Sequence, residues 1–226
     1  MASVRGSEVA AKRKPPIAAT KQPPRDAEKT RLKILAAAEA EFSQKGLAGA
    51  RVDTIAEESG ANKRMIYYYF NSKEKLYIAV LERAYTEMRS SERGLALDHL
   101  DPVEAICGLT EFKFDYSANH PTLINLLNGE NMLNAEYLKQ SKRLRDMHMS
   151  LVKRIGSIVD AGVKNATIRP GINPLHLYIS ISALSYFYFS NTPTLSAAFD
   201  HDLGTSTERK ARRRHVVDVI MAYLRP

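Results

Sequence analysis

The 226-residue chain has no tryptophan and a single cysteine, Cys107. One cysteine excludes an intramolecular disulfide, so a reducing compartment, the cytoplasm, is the expected location. The N-terminus lacks the apolar core of a signal peptide. The longest apolar stretch, residues 175–189, is shorter than the about 20 residues that cross a bilayer, so no membrane partner is expected.

The motifs of common enzymes are also missing. The sequence has no Gly-rich phosphate loop, no nucleophile elbow and no carboxylate pair in a catalytic context, so neither an enzymatic activity nor a cofactor is expected. Asp200, His201 and Asp202, with His215 further along the chain, are candidate metal ligands. Their spacing matches neither HExxH nor paired-cysteine sites, and a polar loop explains them as well, so we predict no metal site.

Positive charge is in excess and lies mostly near the N-terminus. The formal net charge is +8, of which residues 1–25 carry +5 and residues 26–75 carry +1. Such a basic end is typical of nucleic-acid binding, although basic tails also serve solubility alone. Residues 1–25 contain two Pro-Pro pairs and few apolar residues, which predicts a disordered basic arm. Whether this arm contacts DNA stays open.

The stretch from Arg51 to Leu81 carries the most specific local pattern. A short amphipathic helix is expected at 52–59, and Gly60 ends it because glycine adopts the left-handed conformation without steric cost. Asn62 is placed to cap a second short helix, residues 63–69, which carries basic residues and tyrosines. Two short helices joined by a glycine turn predict a helix-turn-helix.

The remaining pattern is helical throughout, with no alternating strand, so the expected fold class is all-α. Helix starts are indicated by Ser72, Pro102, Pro121, Asn173 and Thr207. The helices are expected at about 26–45, 52–59, 63–69, 73–91, 102–119, from 121 to 127 or slightly beyond, 136–165, 174–191 and 208–224.

The segment TIAEESGANKRMIYYYFNSKEKLYIAVLE resembles the TetR family of bacterial transcriptional repressors, and the match covers about residues 27–82. The residues on the family pattern are Ile55, Ala56, Gly60, Ile66, Tyr67, Tyr69, Phe70, Lys73 and Leu76. The stretch SKEKLYIAVL and the helix break at His120-Pro121 are similar to the pyrimidine-responsive RutR branch of that family, which does not identify a ligand. One departure is the entry to the second helix, where Arg51 precedes Val52 in place of the usual Thr or Ser.

This resemblance implies a three-helix helix-turn-helix domain over residues 26–72 and a larger helical ligand-binding and dimerisation domain over 73–226. The implied function is a homodimeric, ligand-responsive repressor that binds a palindromic double-stranded DNA operator, with an effector of unknown identity. Two alternatives stay open. One is a DNA-binding protein of the same fold without an effector, and the other is a helical enzyme that contains a helix-turn-helix.

Carried over by motif position, the third helix enters the major groove and the second lies across the DNA backbone. Arg64 is the best candidate for a bidentate contact with guanine. Tyr67, Tyr68 and Lys73 are expected to contact phosphates, which fixes position without reading sequence. The complete set of expected DNA-binding residues is Arg51, Thr54, Lys63, Arg64, Met65, Tyr67, Tyr68 and Lys73.

A ligand site is expected among the helices between residues 100 and 190, where aromatic walls alternate with a few polar groups. The candidate residues are Phe112, Tyr116, Asn128, Asn131, Met132, Tyr178, Ser182, Tyr186 and Phe189. The alternative for each is ordinary core packing. The helix at 174–191 is apolar on nearly all sides, so a second subunit is expected to cover one face and to form a four-helix bundle with the last helix. Burial within a monomer is the alternative.

Overall fold

The computed structural model describes residues 25–226, without the side chain of Arg25, and the expected all-α fold is confirmed. The expected basic arm lies outside the described residues, apart from Arg25. In the described range there are two short 3₁₀ helices, at Leu97–His99 and Leu138–Gln140, and no strand. The α-helices are α1 (Arg25–Gly49), α2 (Val52–Ser59), α3 (Lys63–Phe70), α4 (Lys73–Arg93), α5 (Pro102–Asn119), α6 (Pro121–Met132), α7 (Lys142–Lys164), α8 (Pro174–Phe199) and α9 (Ser206–Leu224).

The first three helices pack around a small apolar core. Ile34 and Phe42 of α1 are buried with Ile55 of α2 and Ile66 of α3. Helix α1 was expected to end at about residue 45 in a glycine turn. Gly46 interrupts the helix there, because its φ of 65° and ψ of 175° are not helical, and one further helical turn follows to Gly49. In that turn the Ala50 N–H donates to the Gly46 carbonyl at 3.1 Å.

Helix α4 joins this unit to the rest of the chain without a break in the core. Leu76 and Val80 pack with α1, while Tyr85 and Met88, further along α4, belong to the same buried cluster as Tyr116 of α5. This cluster also takes in α6, and α1 packs against both α4 and α6. The first three helices are therefore connected to the larger helical region by continuous side-chain packing.

A second core fills the space between α5, α7, α8 and α9. Ile106 and Leu109 of α5 pack against Ile155 of α7, Ile181 of α8 and Ile220 of α9. No helix in residues 25–226 has both the length and the apolar character needed to cross a bilayer.

The long helix α7 begins six residues later than the expected 136. Asn134 and Ala135 both have positive φ angles, 52° and 59°, so the chain turns there. The helix then begins at Lys142, where the Ser141 hydroxyl accepts the Leu144 N–H at 3.2 Å. A serine cap therefore determines this boundary.

Helix α8 was expected to end near residue 191, but it continues past Pro193 to Phe199. The following loop folds back onto its last turns and stabilises the extension, because the Ser196 hydroxyl accepts the Leu203 N–H at 3.1 Å. The cap of α9 is Thr205 rather than Thr207, and its hydroxyl accepts the Glu208 N–H at 3.2 Å.

Candidate nucleic-acid interface and ligand cavity

The turn between α2 and α3 has the geometry that the sequence predicts. Gly60 closes α2 with a left-handed φ of 66°, and the Ala61 N–H reaches back to the Ala56 carbonyl at 3.1 Å. The Asn62 side-chain oxygen accepts the Met65 N–H at 3.0 Å, which satisfies one of the free donors at the start of α3. Helix α3 is thereby held at a fixed angle to α2.

The start of α2 is held against α1 by a hydrogen bond. Arg51 occupies the cap position but makes no hydrogen bond there with its side chain. Its backbone N–H instead donates to the Glu41 carboxylate of α1 at 3.0 Å. Glu41 thus acts as the acidic residue of a capping box does, by accepting the N–H of the cap residue, and this contact fixes the start of α2 against α1.

Helix α3 buries one face and exposes the other. Ile66 and Phe70 point into the core. Arg64 is exposed, and the side chains of Tyr67 and Tyr68 are 45% and 80% exposed. A buried apolar face and an open basic, aromatic face suit a helix that lies in the major groove.

The other expected DNA-binding residues are placed less uniformly. Arg51 is exposed, whereas Thr54 and Met65 are half-buried. Lys63 is exposed but its Nζ lies 2.5 Å from the Asp53 carboxylate, and Lys73 is half-buried with its Nζ 3.4 Å from a backbone carbonyl at residue 48. Lys73 therefore ties the start of α4 to the end of α1.

A cavity of about 300 Å³ lies between α4, α5, α6 and α8. Five of the nine expected ligand residues line it: Tyr116, Asn131, Tyr178, Ser182 and Tyr186. Sequence reasoning missed the ten other lining residues, among them Tyr85, Met88 and Lys113. Lys113 follows Leu109 by four positions on α5, so its place on the buried stripe of that helix was a signal that could have identified it.

The other four expected ligand residues lie outside the cavity lining. The Asn128 side-chain oxygen accepts hydrogen bonds from the hydroxyls of Tyr186 and Ser190, so it orients a lining residue. Phe112 packs in the core against Tyr116, and Phe189 packs edge-on against a phenylalanine of α5 at 4.9 Å. Met132 is the last residue of α6 and is 85% exposed.

One end of the cavity carries a cluster of buried charges. Arg89 donates to the Glu92 carboxylate at 2.5 Å and to the Tyr178 hydroxyl at 3.0 Å. The Lys113 ammonium lies 3.5 Å from the Glu92 carboxylate and 5.4 Å from the centre of the Tyr178 ring. All three charged residues are at most 6% exposed.

Burial and mutual charge shift the pKa values in this cluster. Burial lowers the pKa of the Lys113 ammonium, and the neighbouring Tyr178 and Glu92 offset only part of that effect. Burial raises the pKa of the Tyr178 hydroxyl, but the positive charges of Lys113 and Arg89 together outweigh it, so the pKa lies below its ordinary value. The cluster thus favours negative charge at the Tyr178 end of the cavity.

In residues 25–226, no group of three or more His, Cys, Asp or Glu side chains is arranged to hold a metal ion. His201, one of the candidate ligands, lies 3.1 Å from the Glu208 carboxylate. Residues 209–214 form a basic run at the start of α9. Within it Arg213 is half-buried and pairs with Asp115 at 2.8 Å and with Glu111 at 3.0 Å, which joins α9 to α5.

Comparison with known proteins gives two family matches. Residues 34–80 match the family described as "Bacterial regulatory proteins, tetR family", and residues 102–220 match "Tetracyclin repressor-like, C-terminal domain". The chain is 37% identical over 199 residues to the HTH-type transcriptional repressor NicS of Pseudomonas putida, covering 88% of this chain and 94% of NicS. It is 30% identical over 193 residues to the regulator RutR of Escherichia coli, covering 85% and 89%.

Among solved structures, the fold is similar to that of the transcriptional regulator SCO4942 from Streptomyces coelicolor. The TM-score is 0.65 at 27% sequence identity, and the alignment covers 87% of this chain and 99% of the other. The similarity therefore extends over the N-terminal helices and the larger helical region together.

Proposed function

This chain belongs to the TetR family of DNA-binding transcriptional repressors, and we propose that it acts as a homodimer on a palindromic operator which it releases when a small effector enters the cavity. The family assignment that the tyrosine-rich motif predicts is confirmed by the matches at 34–80 and 102–220. The dimer, the operator and the effector are the parts that we propose.

The observation that carries the proposal is the two-faced character of α3. Its buried face fixes it to α1 and α2, and its open face presents Arg64 beside Tyr67 and Tyr68. Arg64 lies near the N-terminal end, where a recognition helix contacts base edges, and a guanidinium pairs with guanine through two hydrogen bonds. The two tyrosine hydroxyls are free to donate to phosphates on either side.

The outward faces of α8 and α9 support a homodimer. Phe187 of α8 is 53% exposed, and Val219 and Tyr223 of α9 are 39% and 41% exposed. A shallow apolar groove runs between the two helices, lined by Ala183 together with Val219 and Tyr223. A second copy packed on this face would remove these side chains from water and form the four-helix bundle. The two α3 helices would then address half-sites about 34–36 Å apart.

The position of the cavity supports binding of a small-molecule effector, because the cavity contacts α4, the helix that follows the helix-turn-helix. Tyr85 and Met88 line the cavity and lie on α4, whose first turn follows α3 directly. A ligand that binds preferentially to one position of α4 would change the distance between the two α3 helices of the dimer, which would then no longer match the spacing of the half-sites. A same-fold protein without an effector would be expected to fill this space with side chains, whereas here about 300 Å³ is open.

Stoichiometry on DNA tests the proposal. Operator duplexes obtained by selection from random DNA would be titrated as full palindromes and as single half-sites, with binding followed by fluorescence anisotropy and mass by analytical ultracentrifugation. We expect two chains per palindrome and a much weaker complex on the half-site. One chain per palindrome, or equal affinity for both duplexes, would contradict the proposal.

A further inference from the structure

Two buried cations share one carboxylate at the end of the cavity. Glu92 already accepts a hydrogen bond from Arg89 at 2.5 Å, which leaves Lys113 with its carboxylate at 3.5 Å and the Met88 sulfur at 3.7 Å. Good N–H···O bonds are 2.7–3.2 Å long, and an ammonium has three donors. In the described part of the chain, no other carboxylate lies within 4.0 Å of the Lys113 ammonium.

Other buried acids do not supply the missing negative charge. The Glu130 carboxylate accepts the backbone N–H groups of Tyr137 and Leu138 at 2.8 and 2.7 Å. Within residues 25–226 it forms no ion pair with Lys113 or with Arg89. Since Glu92 can neutralise only one of the two basic groups, the protonated form of Lys113 lacks a full counter-charge and lies beside an open space. An isolated buried charge is unfavourable, so a counter-ion from solution would be stabilised there.

The rest of the lining defines what kind of anion fits. Away from Lys113 the walls are mostly apolar and aromatic, with Leu123, Ile124 and Leu127 among them. The Ser182 hydroxyl lines the cavity and is buried, with no hydrogen-bond partner among the described residues. A volume of about 300 Å³ is at the lower end for small-molecule sites, which requires a compact ligand.

We propose that the effector is a compact organic carboxylate, whose carboxyl group pairs with the Lys113 ammonium while its apolar body fills the space between α5, α6 and α8. The Ser182 and Tyr178 hydroxyls are the neighbouring groups that hydrogen-bond to the carboxylate. This inference rests on the proposed function, because it specifies the effector of that repressor. Arg89 stays bound to Glu92, so Lys113 alone provides the charge that the ligand meets.

Pairs of carboxylates and their neutral amides test this inference on the full chain. The probes are benzoate and benzamide, phenylacetate and phenylacetamide, cyclohexanecarboxylate and its carboxamide, and hexanoate and hexanamide, each titrated by isothermal calorimetry. We expect at least one carboxylate to bind with a dissociation constant below about 1 mM and at least about tenfold more tightly than its amide. If no carboxylate binds more tightly than its amide, the inference is overturned.

The Lys113→Met variant tests the residue. It removes the charge, retains a long side chain and leaves Glu92 paired with Arg89, so no charge loses its only partner. We expect it to weaken carboxylate binding by about 30-fold or more and to abolish the preference over the amide. Lys153→Met is the matched control because Lys153 is exposed on α7, and it should bind like the wild type. A Lys113→Met protein that keeps the wild-type preference would contradict the role of Lys113.

DNA binding by the same preparations distinguishes failure of the carboxylate inference from failure of the proposed function. Wild-type protein that binds its selected operator but shows no carboxylate preference contradicts only the anion inference. Wild-type protein that selects no operator contradicts the proposed function itself. Should Lys113→Met fail to give the wild-type circular dichroism spectrum, Lys113→Gln replaces it, and the wild-type comparison of carboxylate with amide is independent of either variant.

Discussion

The Lys63 ammonium of α3 lies 2.5 Å from the Asp53 carboxylate of α2, across the turn of the helix-turn-helix. Both side chains are more than half exposed, at 52% and 58%. An exposed ion pair of this kind contributes little to stability, roughly 0–1 kcal/mol. In the free protein Lys63 of α3 is therefore paired with Asp53, but the pair is weak enough for a DNA phosphate to replace the carboxylate.

Releasing Lys63 is expected to strengthen DNA binding. In Asp53→Asn the lysine no longer has to leave a carboxylate, so we expect affinity for duplex DNA to rise about two- to fivefold at 0.1 M salt. Glu58→Gln removes one negative charge from the exposed surface of the same helix and is the matched control. Fluorescence anisotropy of both variants would measure the difference, and equal gains would show that the Lys63 contact is unimportant.

Tyr68 is expected to contribute a hydrogen bond to phosphate without contributing charge. Tyr68→Phe should weaken binding to operator and to random duplex alike, by about 0.5–1.5 kcal/mol. The salt dependence should stay the same, because no counter-ion release is lost. Tyr69→Phe is the control, since Tyr69 is half-buried and packs against the N-terminal core. Titrations at several salt concentrations measure both quantities, and a changed slope for Tyr68→Phe would be inconsistent with this role.

Phe187 is expected to lie at the centre of the subunit interface. Phe187→Asp would place a charge in a buried apolar contact, so we expect monomers in sedimentation experiments and loss of most operator affinity. Met149→Asp is the control, because Met149 is 65% exposed on α7, outside the face formed by α8 and α9. Dimers that persist in Phe187→Asp would place the interface elsewhere.

Acid is expected to destabilise the fold partly through His148. Burial lowers the pKa of His148, which lies edge-on to Tyr85 at 4.8 Å, near the charges of Arg89, Lys113 and Glu92. Below about pH 6.5 the unfolded chain therefore binds a proton at His148 that the folded chain does not bind. The free energy of unfolding falls as the pH decreases from this value towards the lower pKa of the folded state.

His148→Phe keeps an aromatic ring against Tyr85 and removes this titration. Relative to wild type, its free energy of unfolding should fall less steeply below pH 6.5, by up to about 1.4 kcal/mol for each pH unit. Urea unfolding at a series of pH values provides the comparison. Parallel profiles for the two proteins would rule out this contribution from His148.

Local signals in the sequence were sufficient to predict the helix-turn-helix formed by α2 and α3. The bounds of α2 and the cap of α3 follow from an apolar face, Gly60 and Asn62, because each acts on its immediate neighbours. The predicted start of α7 was wrong, since Ala135 has a positive φ although alanine carries no turn signal, and a single asparagine beside it, Asn134, was not read as a turn. The sequence predicted Thr207 as the cap of α9, whereas the structure has Thr205, because two threonines two residues apart offer the same hydroxyl group.

Tertiary features were harder to predict. Five of the nine expected ligand residues face the cavity, but helical periodicity does not tell which side of an apolar helix lines a cavity and which packs in the core. Lys113 was overlooked because lysine is usually a surface residue, and only the packing of α4 and α8 around it shows that it is buried. The Glu41 contact that holds the start of α2 joins residues ten positions apart, so it leaves no local pattern in the sequence.

The central claim is that α3 reads DNA sequence through Arg64, and selection from a pool of random duplexes tests it most directly. Wild-type protein should enrich a motif made of two inverted half-sites. Arg64→Ala should enrich it far less, because loss of a bidentate guanine contact removes about 1–3 kcal/mol of discrimination at one base pair in each half-site. Arg93→Ala, which changes an exposed arginine at the end of α4, should select the wild-type motif. Failure of the wild type to enrich any sequence, or the same motif enriched equally by Arg64→Ala, would contradict the account.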